Sequence, residues 1–279
     1  MRPGLRAERG PHGATGAGAL AQRRLRGPEH RHHPGAAVTL TPTATTSLRQ
    51  PDVVAAAVVD TTTERAELPV VPGFVVSAFN PLVRETVRRC LGDPGTPDVP
   101  NPLTGPFPDS TAIVLATVAA DATTSDTASQ KLVSGRVHNP LLFFQSVTTS
   151  IVGHLAIEYG LTGPIHCIAA DHQADTTALD AAALLLLDDT IDQVLVIGVE
   201  LAANPRTAAA FARLAALGHD GRPPAADLAV ALLLRPGPAG HAGVPAQPQA
   251  PAPDDAAAGP LHRLAALAES ARRPLGEQR

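Results

Sequence analysis

Residues 139–200 read NPLLFFQSVTTSIVGHLAIEYGLTGPIHCIAADHQADTTALDAAALLLLDDTIDQVLVIGVE. Their pattern predicts a helix over 145–159 stopped by Gly160, a strand over 165–169 with Cys167 inside it, a helix over 175–187, a turn at 188–192 and a strand over 193–199. QVLVIGV is a continuous apolar run rather than an alternating one, so both faces of that strand are covered. Helix and strand in alternation with such strands predict an α/β fold around a mostly parallel mixed sheet. The helix ADTTALDAAALLLL at 174–187 carries only Asp175 and Asp180 as charges, and its second half is apolar on every face. A helix without a polar side is surrounded. The reading is a buried central helix that needs a second layer or a partner over it, with Asp175, and Asp171 just before, as acidic caps at its start.

Working outward, TAIVLATV at 111–118 is another β-branched run suited to a strand buried on both faces, and 228–234 is a last apolar strand. Residues 52–59 form a short apolar strand and 73–77 a short extended piece. A helix over 79–91 takes Asn80 as cap, Pro81 in its first turn and Gly92 as stop. Residues 93–110 are proline-rich and form a loop. Shorter helices fall at about 125–132 and 206–217.

Beyond this core the composition changes. From residue 1 to 36 there are seven arginines against Glu8 and Glu29 and no apolar period, which predicts a disordered basic arm. Residues 37–235 form the globular domain. A Pro/Ala linker at 236–260 leads to an amphipathic helix at 261–273, in which Leu261, Leu264, Ala265, Leu267 and Ala268 share one face and Arg272 and Arg273 suit the C-terminal dipole. That face is expected to dock back on the domain or, as the second reading, to bind another subunit. The whole chain of 279 residues is 44% apolar and 17% charged, with a net charge of −4, 23 Gly and 28 Pro but only 3% aromatics. These values exclude wholesale disorder and argue against a nucleic-acid surface, and no run is long enough to span a bilayer. Cys90 and Cys167 are too few for a disulfide framework, so a reducing cytoplasm is expected. His30, His32 and His33 lack Cys or acidic companions, so no metal and no cofactor is expected.

The central stretch resembles the N-terminal half of the beta-ketoacyl synthases, condensing enzymes of thiolase fold. The resemblance rests on Asn139-Pro140 before Phe143-Phe144, the polar helix start Ser146 to Ser150, Val152-Gly153, Gly160 to Pro164, the Ala-rich helix Ala178 to Leu187, and Gly198-Val199-Glu200. It implies a thiolase-like half. In active members a Cys at the strand-to-helix turn, its thiol acidified by the helix N-terminus, carries the acyl chain as a thioester. Counting from Gly163-Pro164, that position here is His172, or Gln173 with one residue of slippage, and neither forms a thioester. The resemblance further implies two catalytic histidines from a second half. The His-Gly-Thr and Asn-x-Gly-Phe-Gly segments that would carry them are absent, and His219 and His241 lie in other contexts; His138, His154 and His166 read as structural or surface residues.

A related protein that has lost the Cys, the chain-length factor of type II polyketide synthesis, pairs with a ketosynthase and bounds the tunnel for the growing chain. The resemblance implies that role here, with a ketosynthase as partner, acyl carrier protein reached through the complex, and Phe143, Phe144, Gln145, Thr148 and Ile151 near the interface and tunnel. Gly153 falls at the same interface. Two further readings remain open: an enzyme acting on malonyl-carrier protein through Gln173 or His172, as decarboxylase, acyltransferase or hydrolase, and a degenerate scaffold that binds carrier protein.

Overall fold

A computed structural model describes residues 51–62, 68–94, 109–135, 141–170, 173–202, 204–219, 222–237 and 253–272. The basic arm at 1–36, the His-rich stretch, Asn139-Pro140, His138, Asp171, His172, His241, Arg273 and most of the 236–260 linker lie outside the described residues.

The elements follow in the order β1 (Pro51–Asp60), α1 (Phe79–Leu91), β2 (Thr111–Thr117), α2 (Ala122–Val133), α3 (Leu141–Ser146), α4 (Thr148–Tyr159), β3 (Ile165–Ala169), α5 (Ala174–Leu185), β4 (Gln193–Glu200), α6 (Pro205–Ala216), β5 (Leu228–Pro236) and α7 (His262–Arg272), with a 3-10 stretch, Pro253–Leu261, leading into α7. The strands form one sheet in the order β1-β5-β4-β2-β3. β4 and β2 run parallel, as do β2 and β3, while β5 is antiparallel to both of its neighbours. Four strands therefore point one way and one points back, the expected mixed sheet.

The continuous apolar runs are explained by a helical layer on each side of the sheet. Ile113, Leu115, Leu195, Ile197, Ala231 and Leu233 pack with Leu82, Val83 and Val87 of α1 and Ile151, Val152 and Leu155 of α4. Their strand neighbours Val114, Val194, Val196, Val230 and Leu232 pack on the opposite face with Ala174, Ala178 and Ala182 of α5 and with Leu264 and Ala268 of α7. Each fully buried Val, Leu or Ile contributes about 1.5–3 kcal/mol. The spacing of Ala174, Ala178 and Ala182 places three small residues along one stripe, which brings α5 close to the sheet. That stripe is the covered part of the helix expected at the centre. The sheet lies under it and α7 packs beside it, whereas Leu184 is 64% exposed, because among the described residues no second sheet lies above.

Three local expectations are corrected. The segment 73–77 is not extended: Gly73, at φ +87°, turns the chain so that Phe74 N–H reaches the Val71 carbonyl at 3.0 Å. Asn80 does not cap α1, which already starts at Phe79. Ser77 Oγ accepts the Phe79 N–H at 3.2 Å, and the Asn80 amide turns instead to Asp121 and the Gln145 carbonyl, each at 3.4 Å. The single helix over 145–159 is two, broken at Val147, which is extended at φ −92°, ψ 120°. There Ser146 Oγ bonds back to the Phe143 carbonyl at 2.8 Å, and β-branched Val147, Thr148 and Thr149 resist continuation of α3.

Ala120, between β2 and α2, has φ +52° and is the only non-glycine residue with positive φ among those described. An L side chain there costs about 1–2 kcal/mol. We expect Ala120→Gly to raise stability by about 0.5–1 kcal/mol, after allowing for the greater chain entropy of glycine. A lower denaturation midpoint in the variant would refute this.

Candidate functional site

The two ends of the β3–α5 connection follow ordinary backbone rules. Ala170 N–H extends the ladder to the Thr117 carbonyl at 3.0 Å, and α5 then begins with Gln173 as its N-cap, at φ −120°, ψ 56°. Gln173 is exposed and its side chain makes no capping bond. Its backbone carbonyl takes the N–H and hydroxyl of Thr177 at 3.0 and 2.8 Å. His172, the other candidate at this position, lies outside the described residues.

Asp175 behaves differently from the capping role expected of it. Its buried carboxylate accepts the N–H of Thr176 at 2.6 Å through one oxygen and, through the other, the N–H of Arg263 in α7 at 2.9 Å. It therefore serves both helices, the first turn of α5 through Thr176 and the start of α7 through Arg263. Sequence reading missed this because the partners are 88 positions apart.

Neither thiol is placed as a nucleophile. Cys90 is buried in α1, and burial pushes its thiol up to about 12. Cys167 lies within β3 opposite Leu115, and partial burial raises its thiol despite a hydrogen bond with Thr148. A thiolate nucleophile needs the reverse shift and an accessible turn.

Glu200, at the end of β4, closes the Gly198-Val199-Glu200 motif. Its side chain is fully buried and accepts the N–H groups of Val118 and Ala119 at the end of β2. Loss of solvent raises this carboxyl to about 7, a shift only partly offset by those N–H groups and by Thr117. A buried glutamate at a strand end has no one-dimensional signature; its partners lie about 80 positions upstream.

The α3–α4 candidates divide by role. Phe143 and Phe144 are 75% and 47% exposed, and Phe144 stacks in a tilted arrangement on Phe74 with ring centres 5.6 Å apart. Gln145 is buried and its side-chain oxygen accepts the Val75 N–H at 3.3 Å. Thr148 touches Cys167 in β3, and Ile151 is fully inside the core with α1. The structure thus brings Phe143 and Phe144 to the surface and Gln145 and Ile151 into the interior. Because α4 and α5 cover opposite faces of the sheet, these residues and Gln173 do not belong to one helical layer.

Among the described residues β3 is an edge strand, paired only with β2, and Ile165 is 40% exposed on it. Ile157 on α4 is 86% exposed, and the ideal Cβ position of Gly153 meets nothing within 4 Å. Among the described residues no group of three or more His, Cys, Asp or Glu is placed to hold a metal ion, and no helix is long and apolar enough to cross a membrane.

Comparison with known proteins gives the following. Among solved structures, similar chains occur in a ketosynthase in complex with its chain length factor from Xenorhabdus doucetiae (17% identity, 68% of this chain and 80% of that one, TM-score 0.49) and in the ishigamide ketosynthase/chain length factor (15% identity, 70% and 64%, TM-score 0.49). Another is a beta-ketoacyl synthase from Burkholderia phymatum (14% identity, 62% and 45%, TM-score 0.46). This chain thus spans less than two thirds of the last two. No curated protein matches. The family described as beta-ketoacyl synthase, N-terminal domain, matches residues 79–228, from the start of α1 to the start of β5 and so across the β3–α5 turn. The chain belongs to the beta-ketoacyl synthase family through that domain, and its α/β architecture is the thiolase-like half.

Proposed function

We propose that this chain is a non-catalytic, chain-length-factor-like subunit that pairs with a ketosynthase, bounds the tunnel for the growing acyl chain and meets acyl carrier protein only through that complex. The observation that carries the reading is the residue at the head of α5. Where the family resemblance places a cysteine, the helix starts from Gln173, preceded by His172, and the two thiols of the chain lie elsewhere. A neutral amide cannot form an acyl thioester, so bond formation is left to the partner.

The surface supports an assembly. An unpaired strand edge is a template for another chain, and β3 offers one beside exposed Ile165, Ile157, Phe143 and Phe144. In this reading Phe143 and Phe144 contact the ketosynthase, while Gln145, Thr148 and Ile151 hold the helices that present them.

The test is co-expression with a candidate ketosynthase and light scattering of the eluted complex. A one-to-one complex is expected, and the isolated chain is expected not to turn over malonyl-carrier protein. Gly153→Leu sharpens the test. In the free chain the new side chain enters open space and improves helix propensity by about 1 kcal/mol. At a packed interface the same side chain costs about 1–3 kcal/mol, a loss of roughly ten- to a hundredfold in binding. A folded variant that binds the ketosynthase as tightly as wild type removes α4 from the interface. Steady turnover by the isolated chain, abolished in Gln173→Ala, overturns the non-catalytic reading.

A further inference from the structure

Helix α7 is held by two unlike contacts. Leu264 and Ala268, with Leu261 just before them, are fully buried against the sheet, and the leucine methyl groups crowd Gly198 so closely that a Cβ there would meet them at 2.7 and 2.8 Å. At its N-terminus the helix is tied to α5. Asp175 Oδ2 accepts the Arg263 N–H at 2.9 Å, His262 Nδ1 lies 3.4 Å from the same oxygen, and Arg263 Nη1 donates to Thr176 Oγ1 at 3.0 Å. The Asp175 side chain is 2% exposed. If α7 withdrew, the Asp175 carboxylate would lose the Arg263 N–H and the His262 ring and keep only the Thr176 contacts within α5.

We propose that α7 is a latch on the first turn of α5: docked, it fixes that turn through Asp175, and released, it lets that turn and the adjoining Gln173 reorganise. Docking of α7 and the shape of the turn are two ends of one equilibrium, so each biases the other by the same factor. Residues 237–261, which end in the 3-10 stretch Pro253–Leu261, connect β5 to α7 and make its return an intramolecular event at high effective concentration. The latch goes beyond the chain-length reading and stands whether or not a ketosynthase binds.

Hydrogen exchange on the full chain tests it. Leu264→Asp removes the apolar anchor; the amides of α7 and those at 174–178 are expected to exchange about tenfold faster or more, with α4 unchanged. Asp175→Asn attacks the other end, and by reciprocity it is expected to speed exchange in α7 as well as in the turn. Release of α7 with wild-type protection at 174–178 overturns the latch, as does an Asp175→Asn chain in which α7 exchanges at its normal rate. If Leu264→Asp fails to fold, a protease site placed within 238–252, cut after the full chain is purified and diluted, releases α7 without altering either contact and is read by the same amides.

Discussion

Gly163→Ala is expected to abolish folding of the sheet's β2–β3 edge. A Cβ at this position would lie 2.1 Å from the Thr111 carbonyl oxygen and 2.6 Å from its carbon. Those atoms are backbone at the start of β2, where Thr111 is paired with Gln193 of β4 and the following Ile113 N–H bonds the Pro164 carbonyl at 2.8 Å. No side-chain rotation relieves the clash; the loop before β3 must move away and take that hydrogen bond with it. Overpacking alone costs about 1–3 kcal/mol, and a buried N–H left without its acceptor adds about 1–3 more. A domain stable by about 5–15 kcal/mol loses much of its margin. Urea denaturation of any soluble fraction is the measurement, and a midpoint equal to wild type would show that the 160–164 turn adapts. Gly153→Ala is the matched control, since the same methyl group there meets no neighbour.

The second large effect is a dependence on pH that runs against the usual direction for an acidic group. Glu200 has its carboxyl raised to about 7 in the folded chain, above the ordinary value of 4.5. Between those values the folded state holds a proton that the unfolded state has released. Stability from this group is therefore greatest below pH 4.5, falls as pH rises to about 7, and is level beyond. At 1.36 kcal/mol per unit the whole loss is about 3 kcal/mol. Glu85 on α1 works in a separate window: hydrogen bonds from Arg88 and then Arg89 hold its carboxyl down to about 2, so its contribution is lost only as pH falls below 4.5. Glu200→Gln has no proton to lose. Unfolding free energies at pH 5 and pH 8 are expected to differ by about 3 kcal/mol less in Glu200→Gln than in wild type. Equal pH slopes in the two proteins would show that Glu200 is ionised throughout. The comparison rests on the slope, because the new amide also points an N–H₂ at the backbone donors it replaces a carboxylate for.

The layers of the fold were legible because they depend on local periodicity. The runs at 111–118, 193–199 and 228–234 announced strands covered on both faces, and Gly92 and Gly160 announced helix ends that the structure places at φ +84° and +67°. What was not legible depends on neighbours distant in sequence. Asn80 and Asp175 both carry the side chain of a helix cap; Asn80 spends it on Asp121 and Gln145, and Asp175 divides it between Thr176 in its own helix and Arg263 in α7. The break at Val147 was hidden because helix signals continue on both sides of it. For the candidate site, the sequence marks the strand-to-helix connection before Gln173 and the run from Phe143 to Ile151, but not that Phe143 and Phe144 are exposed while Gln145 and Ile151 point inward. Inward and outward positions on a short helix such as α3 follow from where its neighbours lie, which no spacing rule encodes.

The strand order also sets a timetable. Among the described strands β1 is made first, but its ladder is with β5 alone, the last of them. About 170 residues separate them, which at roughly 5–20 residues per second is about 10–30 s of synthesis. Throughout that interval the ribosome holds a chain whose sheet is forming around β2, β3 and β4 while Pro51–Asp60 waits without a partner. A chain interrupted before Leu228 never closes that edge, so completion of the domain is registered by a strand at its far end.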